Sequence, residues 1–137
     1  MNVDVQIDRT QKKLTQRKYV LTVNNIEIRK LPSPKNNRVE IKASIHFYGG
    51  SILHYFEIVE TGKCYPQILK YSYQYIQDDL QIFRYDDAPD HRDLSTFPHH
   101  KHIGSANTER IESAYQPNLD NLFEEISQII EFKNVLQ

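Results

Sequence analysis

The stretch Val39-Glu-Ile-Lys-Ala-Ser-Ile-His-Phe47 decides the fold class, because apolar residues occupy every second position. A period of two gives a half-buried strand one apolar and one polar face. Gly49-Gly50 follows directly, and glycine tolerates the positive φ angles that a tight hairpin turn requires. Residues 52–60 are predicted to form the partner strand. The pattern predicts an antiparallel hairpin.

Further strands are predicted on both sides of this hairpin. Residues 19–29 are extended, with a break near Asn24-Asn25, and a proline-rich loop separates them from the hairpin. Residues 68–76 alternate again, and Asp78-Asp79 turns the chain into residues 80–85. Short turns between successive strands are typical of an antiparallel meander. We expect an α+β fold with one antiparallel sheet of five to six strands over residues 19–85.

The two ends of the chain carry the remaining predicted elements. Residues 118–133 are predicted to form a helix, with Asn118 as N-cap and Asp120 at the positive end of the helix dipole. Its apolar residues recur at helical spacing, which predicts packing on the sheet; the alternative is that they dock a partner. Residues 1–18 form either a basic helix or a flexible arm. Between Asp8 and Lys18, Leu14 is the only apolar residue, so the hydrophobic pattern does not decide between the two.

Length and composition limit the class of protein. A chain of 137 residues suits one domain, expected here over residues 1–137. No apolar run reaches the roughly 20 residues that span a bilayer. The first residues lack the pattern of a secretory signal, so we expect a cytoplasmic protein. Cys64 is the one cysteine, which excludes an internal disulfide framework and a multi-cysteine zinc site.

Charge is distributed unevenly along the chain. Residues 1–42 hold ten basic and four acidic side chains, whereas the rest holds seven basic and 14 acidic ones. A local excess of basic residues forms a patch that attracts phosphate backbones. The alternative is that the two parts neutralise each other across the fold.

The segment after the last predicted strand, residues 86–117, is irregular and rich in histidine. Imidazole takes and gives protons near neutral pH, and a loop held by a sheet is a common place for such groups. Arg84 and Lys101 are suited to hold a phosphate, and Asp86 is suited to orient a histidine. The candidate catalytic histidines are His91, His99, His100 and His102.

Three interpretations compete for these histidines. In the first, one imidazole accepts the 2′-OH proton of RNA and another protonates the leaving oxygen, without a cofactor. In the second, His100 and His102 point the same way on an extended segment and bind a divalent metal such as zinc, with Asp86 and His91 completing the site. In the third, the histidines only hold the loop in shape.

The tyrosines at alternate positions in residues 68–76 have two interpretations. Tyr71, Tyr73 and Tyr75 could stack nucleobases, with Lys70 binding phosphate, as aromatic residues do on sheets that bind single strands. The alternative is that these rings form the core beneath a helix.

Three motifs of this sequence are Lys70-Tyr-Ser-Tyr-Gln-Tyr75, Phe83-Arg-Tyr-Asp-Asp-Ala-Pro89 and Thr96-Phe-Pro-His-His-Lys-His102. Together they resemble the TumE-like family, small bacterial and archaeal proteins assigned as toxins of toxin–antitoxin modules. In the family the middle segment usually reads Tyr-Asp-Asn-Ala-Pro-His-His. Here Asp87 replaces the asparagine and Asp90 the first histidine, which leaves His91 where many relatives have two.

This resemblance implies a growth-inhibiting toxin that a cognate antitoxin neutralises. By analogy with other small toxins, the hypothesis is an endoribonuclease that uses the histidine segment, with RNA as its substrate. The alternative is a binding module without turnover, in which the basic first third grips nucleic acid or protein. No membrane partner is expected, and a homodimer stays open.

Overall fold

The structure is a computed structural model that describes residues 3–62 and 64–135. Residues 1 and 137, the limits of the expected domain, lie outside this part. The elements, in chain order, are α1 (Val3–Thr15), β1 (Val20–Leu31), β2 (Arg38–Phe47), β3 (Ile52–Glu60), β4 (Gln67–Gln77), β5 (Leu80–Asp86), β6 (His100–Ile103), a single 3-10 turn (Ala106–Thr108), β7 (Arg110–Ser113) and α2 (Leu119–Val135).

The strands form one antiparallel meander in which each strand pairs with the next along the chain. The described residues contain seven strands, so the predicted count of five to six was too low. The expected loop 86–117 contains the two additional strands, β6 and β7. Each has four residues, and so short a segment gives too few alternations for a pattern of period two to be recognised.

The turns follow the predicted chemistry. Gly49 and Gly50 adopt φ angles of 98° and 94° between β2 and β3, a region that glycine enters without steric cost. Asp78 and Asp79 have φ angles of 53° and 62° between β4 and β5. Their short polar side chains tolerate this left-handed region, which matches the right-handed twist of a hairpin.

Both helices lie on one face of the sheet, where the core is. On β2 the residues at odd positions from Val39 to Phe47 are buried, as the alternation predicted. Leu14 of α1 and Leu122 and Ile126 of α2 are almost fully buried in the same cluster. The predicted packing of the C-terminal helix is therefore confirmed, and the N-terminal segment is a helix rather than an arm.

The opposite face of the sheet, here called the open face, carries no helix of the described part. Tyr85 of β5 points to the helices, because its hydroxyl donates to Glu125 of α2. The alternation of side chains along a strand then places Arg84 and Asp86 on the open face. The segment between β5 and β6 brings His91 to this face, beside His100 and His102. Among the described residues, no helix is long and apolar enough to cross a membrane.

Candidate functional site

A buried carboxylate organises the polar site at the end of β5. Asp86 accepts hydrogen bonds on Oδ1 from the Ala88 amide at 3.1 Å and on Oδ2 from Arg84 Nε at 2.8 Å. His100 Nε2 lies 2.8 Å from Oδ1. The pairing of β5 with β6 sets Asp86 opposite His100 and Arg84 opposite His102, which brings these side chains together.

His100 is held on both ring nitrogens. Its Nδ1 lies 2.9 Å from the Pro98 carbonyl, and its Nε2 contacts Asp86. Since a carbonyl and a carboxylate only accept hydrogen bonds, this arrangement matches a ring that carries a proton on each nitrogen. The side chain is 1% exposed, so its orientation is fixed by the protein rather than by solvent.

His102 has complementary partners. The guanidinium of Arg84 lies 3.0 Å from Nε2 and can only donate, so that nitrogen accepts and Nδ1 carries the proton. Nδ1 donates to Glu109 Oε1 at 2.9 Å. This hydrogen bond is the main reason that the pKa of the Glu109 carboxyl is lowered from its ordinary value.

His91 brings a third imidazole to the site from the segment between β5 and β6. Its ring centroid lies 5.1 Å from that of His100 and 5.9 Å from that of His102. It adopts a φ of 57°, and its carbonyl accepts a hydrogen bond from the Leu94 amide. His91 is half-buried, whereas the other two rings are buried. Asp86, His91, His100 and His102 are called the imidazole cluster below.

The imidazole cluster can hold a metal ion. One ring nitrogen of each of its three histidines lies within 4.8 Å of the others. The Nε2 atoms of His100 and His102 face each other at 3.0 Å, while their Nδ1 atoms bond to a carbonyl and a carboxylate. Metal-binding histidines usually have such outer partners, which fix the ring and its tautomer.

Two candidates from the same segment lie on the helix side of the sheet instead. Lys101 alternates with His100 and His102 along β6, and its Nζ contacts Glu125 of α2 at 2.6 Å. His99 bonds through Nδ1 to the Tyr71 hydroxyl at 2.9 Å. Both were predicted to join the other histidines, and the alternation of the strand separates them.

The tyrosines of β4 belong to the core. Tyr71 and Tyr73 are each 1% exposed, so they offer no free face to a nucleobase, contrary to the stacking interpretation. The Tyr73 hydroxyl donates to Glu57, and burial raises the pKa of both phenols above the ordinary value. Lys70 is exposed and alternates with Tyr71, so it points away from the core.

Sequence reasoning missed two groups that orient the histidines. Glu109 lies in the turn between β6 and β7, and the Pro98 carbonyl belongs to the backbone. No motif marks either group. Glu109 could have been found only by recognising that β6 and β7 form a hairpin, because this hairpin brings Glu109 back beside His102.

The fold and this site define a class: a small α+β protein with a histidine-centred polar site at one end of its sheet. The family model described as Toxin TumE matches residues 11–131, and the chain belongs to this toxin family. It is therefore a toxin component of a toxin–antitoxin module, and a cognate antitoxin is its partner. No curated protein and no solved structure matches the chain.

Proposed function

We propose that this toxin cleaves RNA at the imidazole cluster. The observation that carries the proposal is the meeting of His100 and His102 at the carboxylate of Asp86, with the His91 ring beside them and the guanidinium of Arg84 within hydrogen-bonding distance. Proton donors and acceptors beside a fixed cation are the groups that phosphodiester cleavage needs. The side chain of Arg84 is 34% exposed, so a phosphate can reach it.

The proposed reaction needs no cofactor. One imidazole accepts the proton of a 2′-OH, and the 2′-oxygen attacks the neighbouring phosphorus. The 5′-oxygen leaves with a proton from a second imidazole, which gives a 2′,3′-cyclic phosphate and a free 5′-OH. Arg84 neutralises the charge that develops on the phosphate. His91 is the imidazole best placed to meet substrate, because it is the half-buried member of the cluster.

The fixed orientation of His100 and His102, the buried histidines of the imidazole cluster, supports a role for each as an acid or a base. Asp86 and the Pro98 carbonyl hold His100, and Glu109 and Arg84 hold His102. Such partners fix the orientation of the ring and the nitrogens that carry protons before substrate arrives, as the carboxylate does in a catalytic triad. His99 and Lys101 take no part in the proposal, because both contact groups on the helix side.

A metal-dependent nuclease is the second candidate, favoured by the two Nε2 atoms at 3.0 Å. Two nitrogen ligands at about 2.0–2.1 Å from a tetrahedral zinc would lie slightly farther apart than this, at about 3.4 Å. His91 and Asp86 would complete four ligands. The contact between Arg84 Nη2 and His102 Nε2 occupies the same lone pair that a metal would need, which favours the metal-free reaction.

The test is cleavage of end-labelled RNA by purified toxin, with and without EDTA. The metal-free reaction predicts cleavage that survives EDTA and products with 2′,3′-cyclic phosphate ends. His91→Ala should lower the rate at least about 100-fold, the usual size of general acid–base catalysis. His46→Ala, which removes a strand histidine elsewhere, is the matched control.

Each contrary outcome has a distinct meaning. Cleavage that EDTA abolishes and zinc restores, with one metal per chain by elemental analysis, replaces the metal-free reaction with the second candidate. Salt-sensitive RNA binding without cleavage supports the binding module instead. Cleavage that His91→Ala leaves intact removes the imidazole cluster from the reaction.

A further inference from the structure

We propose that single-stranded RNA lies across the open face of the sheet, on a track that leads from β2 to the imidazole cluster. The inference rests on the proposed action on RNA and names the surface that binds the substrate. The track consists of Lys42, Ser44, His54, Phe56, Gln74 and Arg84. Of these six residues, Gln74 and Arg84 belong to the three sequence motifs quoted above, and the other four do not.

The strand register makes the track continuous. Two rows of paired residues cross the open face, and each ends at a member of the imidazole cluster. The first row is Ser44, His54, Gln74, Arg84 and His102, and the second is Lys42, Phe56, Ser72, Asp86 and His100. Since paired residues point to the same face, a ligand that follows either row arrives at the histidines.

A cavity in the middle of the track gives it depth. It has a volume of about 300 Å³ and is lined by Lys42, Ser44, His54, Phe56, Ser72 and Gln74, with Asn25 and Glu27 of β1 at one side. This volume is at the lower end of the range of small-molecule sites, which is suitable for a single nucleotide. Neighbouring strands lie about 4.8 Å apart, so β5, which carries Arg84, is about 10 Å across the sheet from β3, which carries Phe56.

The chemistry of the cavity suits an unpaired base. Phe56 is half-buried and His54 exposed, so both rings lie at the surface of the open face. The ammonium of Lys42 lies 6.0 Å from the centre of the Phe56 ring, and Ser44 contacts His54 Nδ1 at 3.3 Å. Aromatic rings beside cations bind single strands by stacking with bases and pairing with phosphates. A duplex hides its base faces and cannot use them.

Polar groups in and beside the cavity supply contacts to base edges. Gln74 offers both a donor and an acceptor, and its amide nitrogen donates to Gln81 at 2.9 Å. Glu27 adds a carboxylate that accepts from the amino group of a base rather than from a phosphate. The carboxylate of Glu40 pairs with both Arg29 and Lys42, and the Lys42 ammonium lies 3.3 Å from it. The side chain of Lys42 is nevertheless more than half exposed.

The test is the binding of a fluorescently labelled 12-nucleotide single strand to a full-length chain that carries His91→Ala, so that cleavage does not interfere. We expect Phe56→Ala to weaken binding roughly 5- to 100-fold, the range of a lost stacking contact, and Lys42→Ala to weaken binding and reduce its salt dependence. A duplex of the same sequence should bind more weakly than the single strand. Phe132→Ala is the matched control, because Phe132 is exposed on α2, on the other side of the sheet.

Phe56→Leu guards against a folding defect, because it keeps an apolar side chain but removes the aromatic face. Unchanged RNA binding in folded Phe56→Leu and Lys42→Ala overturns the track, even if the wild type cleaves RNA. Loss of antitoxin binding with unchanged RNA binding in these variants assigns the open face to the protein partner and also overturns it. If the wild type does not cleave RNA but its RNA binding depends on Phe56, the proposed reaction is refuted and the track is supported.

Discussion

The Nε2 atoms of His100 and His102 lie 3.0 Å apart at the buried end of the sheet. Two like atoms at this distance need either a shared proton or a shared cation between them. The other partners of the rings determine which nitrogen can donate: His100 faces two acceptors, and His102 accepts from Arg84. These partners make Nε2 of His100 a donor, with Asp86 as its nearest acceptor, and Nε2 of His102 an acceptor, so the two facing nitrogens are not two donors or two acceptors.

Asp86→Asn should destabilise the protein strongly. The change removes the carboxylate that faces both His100 and Arg84 in a buried position, and a buried charge left without its partner costs about 3 kcal/mol or more. Urea unfolding measures the loss. Asp93→Asn, an exposed residue of the same segment, is the control and should stay within about 0.5 kcal/mol of wild type. A loss under about 1 kcal/mol for Asp86→Asn would contradict the central role of this carboxylate.

Glu109→Leu should slow RNA cleavage while the protein remains folded. Leucine cannot accept the hydrogen bond from His102 Nδ1, so the ring loses the partner that selects its tautomer. We expect a rate decrease of about tenfold or more, the lower end of what outer partners contribute at comparable sites. Glu109→Gln retains an acceptor and should recover part of the rate. Equal rates for both variants and wild type would remove Glu109 from the site.

His99→Ala should lower stability and leave cleavage unchanged. The ring stacks on Tyr71 and shares a hydrogen bond with its hydroxyl, so its loss leaves a buried phenol without that partner. The expected cost is about 1–2 kcal/mol. Thermal unfolding and an RNA cleavage assay on the same sample separate the two effects. A large fall in cleavage with normal stability would place His99 in the reaction after all.

Stability should fall as pH rises above about 10. Burial raises the pKa of Tyr55, Tyr71, Tyr73, Tyr75 and Tyr85 above the ordinary value. In the unfolded chain these phenols ionise near pH 10, whereas in the folded protein they keep their protons. The unfolded state therefore loses protons first, and the stabilisation, complete below pH 10, declines by about 1.4 kcal/mol per pH unit for each such tyrosine.

Urea unfolding at pH 8, 10 and 11 measures this decline. Tyr75→Phe removes one buried phenol and should reduce the slope between pH 10 and 11. Tyr115→Phe, which removes an exposed phenol, is the matched control and should keep the wild-type slope. A stability that is constant from pH 8 to 11 would contradict the burial of these hydroxyls.

The sequence correctly predicted the strands and the helix that are long enough for their apolar residues to repeat at a regular spacing. The alternation in β2 and β4, the turn at Gly49-Gly50 and the apolar stripe of α2 each repeat a local preference several times, and each is present as predicted. Among the strands of the described residues, β6 and β7 were missed, because four residues form a strand here through their neighbours rather than through their own pattern.

What the sequence determined about the site was its location: histidines, Arg84 and Asp86 lie close along the chain. What the tertiary structure decided was which of them meet. The register between β5 and β6 puts Arg84, Asp86, His100 and His102 on one face and Lys101 on the other, and a shift by one residue would exchange the two sets. The register depends on hydrogen bonds between strands, and no local sequence pattern encodes them.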